Sequence, residues 1–321
     1  MQTRLTEMLG ITHPILNAPM TPQAGGVLAR AVSEAGAFGI VGLNEDERAE
    51  QIAEQVALIT ADGFKKPFGI GLVIWVLERR PDLLDLAIAA KPTLVSISFG
   101  DPAPYVERLH RAGILVASQV QSRDSAQQAA RAGVDVVVAQ GTEAGGHTGA
   151  VGTLPLLQIV LDAVDVPVVA AGGIASGRGL AAVLAAGAVG AWIGTPFLAA
   201  AESRTPEQAR DRIVASDETQ TVLTSVFDRA QGKPWPSQFR GRALRNRFTE
   251  QWHGREEELL QAAGALDEFR RAKAERDYGI ANVYAGQSVG MVSTRTTARE
   301  IVERIAAGAE AQLRRAASLV R

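Results

Sequence analysis

The sequence predicts an α/β protein built from eight parallel βα units. Three observations support this prediction. From residue 15 to about 200, short apolar runs alternate with Ala-rich segments of helical periodicity, the runs number eight, and four helix-to-strand junctions share one pattern. The junctions are SEAGAFGIV, HRAGILVAS, ARAGVDVVV and LAAGAVGAW, in which an Ala-Gly pair precedes an apolar strand. Such repetition is typical of the αβ turn of a repeated unit.

The predicted strands are mostly apolar throughout rather than alternating, as expected for strands that are covered on both faces or line a filled barrel. They are Ile15–Ala18, Phe38–Gly42, Phe68–Val73, Thr93–Ser96, Leu115–Ser118, Asp135–Ala139, Val166–Ala170 and Ala191–Gly194.

Segments of helical periodicity lie between these strands, and several end at a glycine that suits a C-terminal cap. The predicted helices are Leu28–Glu34, Arg48–Ile59, Pro81–Ala89, Tyr105–Arg111, Arg123–Arg131, Leu154–Val160 and Arg178–Ala185, and the capping glycines are Gly36, Gly113, Gly133 and Gly187. A doubly wound open sheet uses the same local units. Periodicity alone therefore leaves an open sheet and a closed barrel as alternatives.

The composition narrows the class of partner. A formal net charge of −2 gives no electrostatic reason to expect nucleic acid or an anionic membrane, so a small molecule is the expected partner. The absence of cysteine excludes disulfides, thiolate zinc sites and cysteine nucleophiles. The N-terminal MQTRLTEMLG lacks the apolar core of a secretory signal, which favours a cytoplasmic protein. The most apolar stretch, Val166–Ala201, is interrupted by glycines and Arg178 and does not predict a membrane span.

The composition becomes charged and amphipathic after Leu198. The segments PEQARDRIVAS and REEELLQAAGALDEFRRAKAER predict helices, and no alternating strand is predicted there. We expect residues 201–296 to form a mostly helical insertion, which serves as a lid, as an oligomer surface or simply for packing. Thr297–Leu319 predicts a long amphipathic helix that returns as the last helix of the barrel.

The segment AQGTEAGGH, which ends at His147, directly follows the strand GVDVVVA. Residues just past the carboxyl end of a barrel strand line the active face. Its glycines, Gly145 and Gly146 among them, let the backbone approach a ligand closely. His147 can accept or donate a proton near neutral pH, which makes it the candidate catalytic residue. Glu143 is open to two roles, orienting the loop or acting on substrate.

The three remaining histidines, His13, His110 and His253, are expected to be structural, because they lack comparable surroundings.

Two successive strands end in glycine, at Gly172–Gly173 and at Gly194–Thr195, and the first leads into a helix that Ser176 opens. Loops after the seventh and eighth strands of a barrel commonly bind phosphate through backbone N–H groups. An early strand–GxGxxG–helix unit, a Walker A motif, paired metal-ligand histidines and a nucleophile elbow are all missing from the sequence. The motifs therefore favour a (β/α)8 barrel with a phosphate-bearing cofactor and no metal site.

Four segments together resemble the nitronate monooxygenase family, once called 2-nitropropane dioxygenases. They are HPILNAPM, AQGTEAGGHTG, VPVVAAGGIASGRGLAAVLAAGAVGAWIGTPFL and YAGQSVG. The resemblance implies a TIM barrel that holds FMN without a covalent bond and oxidises alkyl nitronates, or nitroalkanes, with O2 to a carbonyl compound and nitrite. It also implies that residues 1–200 and 297–321 form the FMN-binding barrel and that the GQSVG loop of the insertion reaches the cofactor.

The resemblance assigns site residues position by position. It makes His147 catalytic. The residues that it places at the cofactor are Ala18, Pro19 and Met20 beside the isoalloxazine ring, Gly172, Gly173, Gly194 and Thr195 at the phosphate, and Gln119, Gly145, Gly146, Gln287 and Gly290 nearby.

This chain also departs from the family pattern. Gly71 stands where many relatives carry Asn, Gln119 stands where some carry a basic residue, and Trp75 either fills the mouth of the site or simply packs.

Two other functions stay open. NAD(P)H-dependent flavin reductases, either NADH:quinone reductases or enoyl-ACP reductases, share the EAGGH and phosphate-loop patterns, and NAD(P)H is then a partner. A flavin-binding regulatory protein without catalysis is the second alternative. A homodimer is compatible with the helical surface, but the sequence does not determine the oligomeric state.

Overall fold

The computed structural model describes residues 1–43 and 45–320 and contains eleven strands in that part of the chain. They are β1 (Ile15–Asn17), β2 (Gly39–Gly42), β3 (Phe68–Val73), β4 (Leu94–Ser98), β5 (Leu115–Val120), β6 (Val136–Gln140), β7 (Gly146–Thr148), β8 (Val168–Ala171), β9 (Gly190–Ile193), β10 (Thr221–Thr224) and β11 (Arg240–Leu244). Eight of these are the predicted strands, with boundaries shifted by no more than two residues.

The helices alternate with these strands along the first two thirds of the chain. They are α1 (Arg4–Leu9), α2 (Gly26–Glu34), α3 (Ala49–Thr60), α4 (Ile74–Arg79), α5 (Asp82–Ala89), α6 (Ala103–Arg111), α7 (Arg123–Arg131), α8 (Thr153–Leu161), α9 (Gly177–Ala185), α10 (Thr195–Leu198), α11 (Glu207–Ala215), α12 (Val226–Gln231), α13 (Arg247–Trp252), α14 (Glu256–Gln261), α15 (Ala263–Glu275) and α16 (Ala298–Ala317), with 3₁₀ turns at Ala61–Gly63 and Gln287–Met291. The four predicted capping glycines all have a positive φ. No helix within residues 1–43 and 45–320 is long and apolar enough to cross a bilayer.

The eight predicted strands form one parallel sheet in the order β1-β9-β8-β6-β5-β4-β3-β2. The first and last strands of this order meet at a parallel bridge between Leu16 and Phe38. The Phe38 N–H donates to Ile15 O at 2.9 Å, and the Asn17 N–H donates to Phe38 O at 3.2 Å. The sheet therefore closes on itself, which confirms the barrel and excludes the open doubly wound sheet.

The side chain of Asn17 completes this seam. It is fully buried, accepts from the Ile40 N–H through Oδ1 at 2.7 Å and donates to Ile40 O through Nδ2 at 2.8 Å. One amide thus satisfies both backbone groups of a residue on the neighbouring strand, as a further strand residue would.

The barrel interior is filled by side chains from all around the sheet, including Leu16, Phe38 and Trp192. Leu5 and Leu9 of α1 pack into the same cluster. Because Thr3, just before α1, donates to Val189 O at the start of β9, this helix covers the amino-terminal end of the barrel. The opposite end of the barrel, at the carboxyl ends of the strands, is not covered by α1 and is where we expect a ligand site.

The region after α10 is mostly helical, as predicted, and has an apolar cluster of its own around Phe227, Phe248 and Phe269. The expectation that it contains no strand is wrong. Strands β10 and β11 pair antiparallel with each other, and β11 pairs with β7. Periodicity missed β11 because it carries Arg240 and Arg242, and the second of these is buried in spite of its charge.

The C-terminal helix α16 begins where the sequence predicts, with Thr297 as its N-cap in a capping box with Glu300. It packs against α9, where Gly177 lies so near Gly308 that a Cβ on it would come within 2.3 Å of the Gly308 carbonyl carbon. The predicted barrel unit also includes Asn44 and Arg321, which lie outside the described residues.

The seam supports a stability prediction. Asn17→Ala leaves the buried N–H and C=O of Ile40 without the amide partner, so we expect the free energy of unfolding to fall by about 1–3 kcal/mol and the thermal midpoint to drop. Gln158→Ala is the matched control, because Gln158 also donates to a backbone carbonyl but at an exposed position. Equal unfolding midpoints for the two variants would show that the seam does not depend on Asn17.

Candidate active site

A cavity of about 560 Å³ opens at the carboxyl ends of the barrel strands. This is the face at which barrel enzymes carry their active sites, and the volume is typical of ligand pockets. The structure brings eleven of the thirteen predicted site residues together there. They are Ala18, Pro19, Met20, Gln119, Gly145, Gly146, His147, Gly172, Gly173, Gly194 and Thr195.

The other two predicted residues, Gln287 and Gly290, are not among those that line the cavity. Both are exposed, and a Cβ on Gly290 would meet Glu218 rather than the cavity. Ser288, between them, is buried and does line the cavity. The YAGQSVG motif therefore reaches the cavity through Tyr284 and Ser288.

The loops after β8 and β9 fit a phosphate-bearing cofactor. Gly172 and Gly173 have φ values of +102° and +70°, which residues with a side chain rarely adopt. A Cβ on Gly194 would lie 3.4 Å from Met20 Sδ and 3.6 Å from Ala18 Cβ, beside two other lining residues. Two adjacent strand ends thus keep side chains out of the same part of the cavity, where backbone N–H groups suit a phosphate.

The loop that carries His147 is held by Glu143. Its carboxylate accepts from the Thr153 N–H at 2.8 and 3.0 Å and from the Thr153 hydroxyl at 2.9 Å. A negative charge at this position is stabilised because Thr153 begins α8. These contacts favour the orienting role of Glu143 over direct action on substrate.

A second support for this loop comes from the late motif. The Gln287 N–H donates to Glu143 O at 2.9 Å, and the Gly286 N–H donates to Thr195 Oγ1 at 2.9 Å. A Cβ on Gly145 would lie 2.6 Å from the Gly286 nitrogen. Gly145 is therefore required by the protein's own backbone, in addition to any ligand that approaches it.

His147 lies on β7 with its side chain only 8% exposed, and its ring lines the cavity. Its Nε2 is 2.9 Å from Asp228 Oδ1, and its backbone carbonyl accepts from Gln140 Nε2 at 3.0 Å. The indole of Trp235 stacks on the imidazole, with ring centroids 3.5 Å apart and planes 7° apart. The ring is therefore fixed in both position and orientation.

Sequence reasoning missed Asp228. It lies on α12, and its carboxylate, 7% exposed on the side chain, also accepts from the Tyr284 hydroxyl at 3.3 Å. Burial first, and then the nearby Asp228 carboxylate, raise the pKa of Tyr284 well above its ordinary value, so Tyr284 stays a donor. The sequence gives only a weak signal that Asp228 belongs to the site, since a single aspartate in an amphipathic helix is usually exposed to solvent.

Trp235 belongs to a segment that we call the strap, residues 232–239 between α12 and β11. Trp235 makes edge contacts with Trp75 and Phe99, at centroid distances of 5.5 and 5.1 Å. Lys233 pairs with Glu45 and, at 3.4 Å, with Asp46, both just after β2. The strap thus covers one side of the cavity. Trp75 both lines the cavity and packs against the strap.

Gly71 packs directly against Pro19. A Cβ on Gly71 would lie 2.3 Å from Pro19 Cβ and 2.5 Å from its Cγ. In this chain the proline ring therefore occupies the space next to β3 where the family resemblance suggests an amide side chain. Gln119, the second departure, is half-buried and lines the cavity.

The barrel, the glycine-lined strand ends and the buried histidine define a (β/α)8 protein with a ligand-sized cavity at the carboxyl ends of its strands. The chain belongs to the nitronate monooxygenase family, since the model of that family matches residues 78–308. A Staphylococcus aureus protein described as a probable nitronate monooxygenase is 31% identical over an alignment that covers 91% of this chain and 93% of that protein.

Two further proteins extend this comparison. The structure of FabK from Thermotoga maritima superposes with a TM-score of 0.87 at 31% identity and covers 100% of both chains. The (3aS,4S,5R,7aS)-5-hydroxy-7a-methyl-1-oxo-octahydro-1H-indene-4-carboxyl-CoA dehydrogenase of Rhodococcus jostii is 36% identical over 228 residues, 71% of this chain. This chain spans only 64% of the length of that dehydrogenase.

The glycine-lined strand ends lead to a prediction about flavin retention. Gly194→Val places branched carbons against Met20 and Ala18, so we expect the purified variant to lose most of its bound flavin while it keeps its fold. Visible absorbance and circular dichroism measure the two quantities. Gly264→Ala is the control, because nothing lies within 4 Å of the added carbon. A Gly194→Val protein with full flavin content would contradict the assignment of this strand end.

Proposed function

We propose that this protein binds FMN and oxidises alkyl nitronates with O2 to carbonyl compounds and nitrite. The observation that carries the proposal is the position of His147, buried on one side against Asp228 and lining the cavity that contains the glycine-rich strand ends. With Nε2 paired to the Asp228 carboxylate, a protonated ring offers its Nδ1–H to an anionic substrate. Membership of the nitronate monooxygenase family supports the same chemistry.

FMN is the cofactor that these residues fit. The backbone at Gly172, Gly173 and Gly194 would hold its phosphate, and Ala18–Met20 would lie beside its ring system. When bound, FMN supplies the electron transfer between the substrate and O2.

The overall reaction balances without any other reductant or oxidant. Two nitronate anions and one O2 molecule yield two carbonyl compounds and two nitrite anions. In each nitronate the carbon–nitrogen double bond breaks, the carbon receives one oxygen atom of O2, and the nitrogen leaves as nitrite. Atoms and charge are the same on both sides.

The protein's part is to bind and orient the anion. Protonated His147 would donate from Nδ1 to a nitro oxygen, because Nε2 is engaged by Asp228. The rings of Trp75, Phe99 and Trp235 would keep bulk water away from this contact, which strengthens it.

Anaerobic mixing tests the proposal. We expect ethyl nitronate to bleach the flavin absorbance, and NADH and NADPH to leave it unchanged over the same time. Bleaching by a nicotinamide alone would instead support an NAD(P)H-dependent reductase. Tight flavin binding without reaction towards any donor would support the non-catalytic alternative.

Replacement of the histidine should separate catalysis from cofactor binding. We expect His147→Ala to lower kcat/KM for ethyl nitronate about hundredfold, because a donor to the reacting anion is lost, while bound flavin is unchanged. His110→Ala is the control, since His110 also pairs with a carboxylate but lies on the exposed side of α6. Wild-type turnover by His147→Ala would remove His147 from the mechanism.

A cytoplasmic location and a homodimer are further parts of the proposal. Small-molecule substrates and O2 are its expected partners, in line with the small net charge.

A further inference from the structure

Two cations of the helical insertion line the cavity without a carboxylate partner. They are Lys273, in the last turn of α15, and Arg276, at the end of that helix, and both are exposed. Lys273 Nζ donates to the neutral amide of Gln231 at 2.6 Å, and in the part of the chain that the structure describes no ion pair includes either cation. The carboxylate next to Arg276, that of Asp277, pairs with a different arginine. The cavity therefore has two uncompensated positive charges on one wall.

The other cations that line the cavity are paired with carboxylates. Arg204 pairs with Glu47 at 2.9 Å, and Lys233 pairs with Glu45. Burial, and then the charge of Lys273, lower the pKa of Lys233, so the two ammonium groups lie close enough to repel each other. Like charges held together beside a cavity favour an anion as its occupant.

Neutral polar groups lie beside the two cations. Tyr278 and Asn282 follow α15, are half-buried and line the cavity. Among residues 1–43 and 45–320, the hydroxyl of Tyr278 and the side-chain amide of Asn282 have no hydrogen-bond partner. Burial raises the pKa of Tyr278 and the charge of Arg276 acts against this rise, so the guanidinium lies near the hydroxyl. The same wall thus offers two cations and two neutral hydrogen-bonding groups to a ligand.

The backbone at Arg276 also points to a role for its side chain. Its φ is +60°, in the left-handed region, where glycine is the usual residue at the end of a helix. A long charged side chain is therefore kept at a position where the backbone alone favours its removal. Residues in such conformations are common where a ligand is held.

Helix α12 connects this wall to the imidazole of the barrel loop. Asp228, which contacts His147, and Gln231, which accepts from Lys273, are three residues apart on α12 and therefore lie on one face of it. Two side chains thus separate Lys273 from His147. A ligand whose reacting end lies at His147 would contact Lys273 through a group several bonds away.

We propose that Lys273 and Arg276 form a subsite for a phosphate group at the far end of the organic substrate, so that this protein acts on nitronates that carry a phosphate ester. The inference rests on the proposed oxidation of nitronates and names the substrate class. A phosphate monoester has a charge of about −1.5 to −2 at neutral pH, which matches two cations, and its oxygens suit the guanidinium fork. A carboxylate has one charge and would match only one of the two cations.

Isothermal titration calorimetry of the flavin-loaded protein with hexyl phosphate measures the subsite without turnover. We expect the wild type to bind hexyl phosphate more tightly than hexanol, and to lose this preference as sodium chloride is raised, because exposed charges are screened. Lys273→Met and Arg276→Asn should each weaken the binding of hexyl phosphate about threefold, and the double variant about tenfold. Both substitutions suit the fold, since methionine favours a helix and asparagine tolerates the left-handed region.

Arg271→Gln is the matched control. Arg271 is another exposed arginine of α15, but it is not among the residues that line the cavity. Its replacement removes the same charge from the same helix and should leave the affinity for hexyl phosphate unchanged. An equal loss in Arg271→Gln and in Arg276→Asn would show an effect of overall charge and would contradict the subsite.

Turnover provides a second readout. The nitronates of ω-nitrohexyl phosphate and ω-nitrohexanol differ only in the phosphate. We expect kcat/KM of the wild type to be about tenfold higher for the phosphate ester, through a lower KM at equal kcat, because a contact remote from the reacting carbon stabilises the ground state and the transition state alike. The ratio should approach one in the Lys273→Met/Arg276→Asn double variant. A merely structural role for the two side chains would lower both activities and leave the ratio unchanged.

Two further results would overturn the inference. One is equal affinity for hexyl phosphate in the wild type and the double variant. The other is ADP that binds more tightly than hexyl phosphate through the same two side chains, which would assign the subsite to a nucleotide instead of the nitronate. If the double variant does not fold, the single variants and the salt dependence decide. A wild type that oxidises no nitronate contradicts the proposed function, and the calorimetry still decides whether Lys273 and Arg276 bind phosphate.

Discussion

The hydrogen bonds of Asn17 across the barrel seam are the contacts on which the site geometry depends. The chain runs directly from this residue into Ala18, Pro19 and Met20, which form one wall of the cavity. The ends of β2 and β3, which lead to the lining residues Leu43 and Trp75, lie beside β1 only because the sheet is closed. A barrel that opened at this seam would separate Ala18–Met20 from this side of the cavity, so the complete cavity requires the closed sheet.

The geometry around His147 also requires that two distant parts of the chain meet. The barrel supplies the histidine on β7, and the insertion supplies Asp228, Trp235 and the strand β11 that pairs with β7. Neither part alone holds the imidazole, because its edge, its face and its backbone are each contacted by the insertion. The insertion therefore helps to form the candidate active site and does not merely cover it.

The order of elements was predictable because each strand of a closed barrel is a short apolar run, and eight such runs stand in the sequence. The position of the His147 loop and of the glycine-lined strand ends at the cavity was predictable, because His147 and Gly173 closely follow such runs. Asp228 was not, since its partner lies far away in sequence and no local pattern marks it. Strand β11 was hidden by Arg242, whose guanidinium is buried against Thr142 instead of being solvated. The positions of Gln287 and Gly290 show that a family motif can reach a cavity through its other members, here Tyr284 and Ser288.

The close contact between Gly145 and Gly286 also matters for the exchange of parts among related enzymes. A Cβ on Gly286 would lie 2.5 Å from Glu143 O and 2.9 Å from the Gly145 nitrogen, so each glycine is required by the backbone opposite it. A chimera that joined the barrel of one homologue to the insertion of another would keep this interface only if both glycines were inherited together. The loop that carries Gly145 and the turn that carries Gly286 would therefore have to be exchanged together, although most of the insertion separates them in the chain.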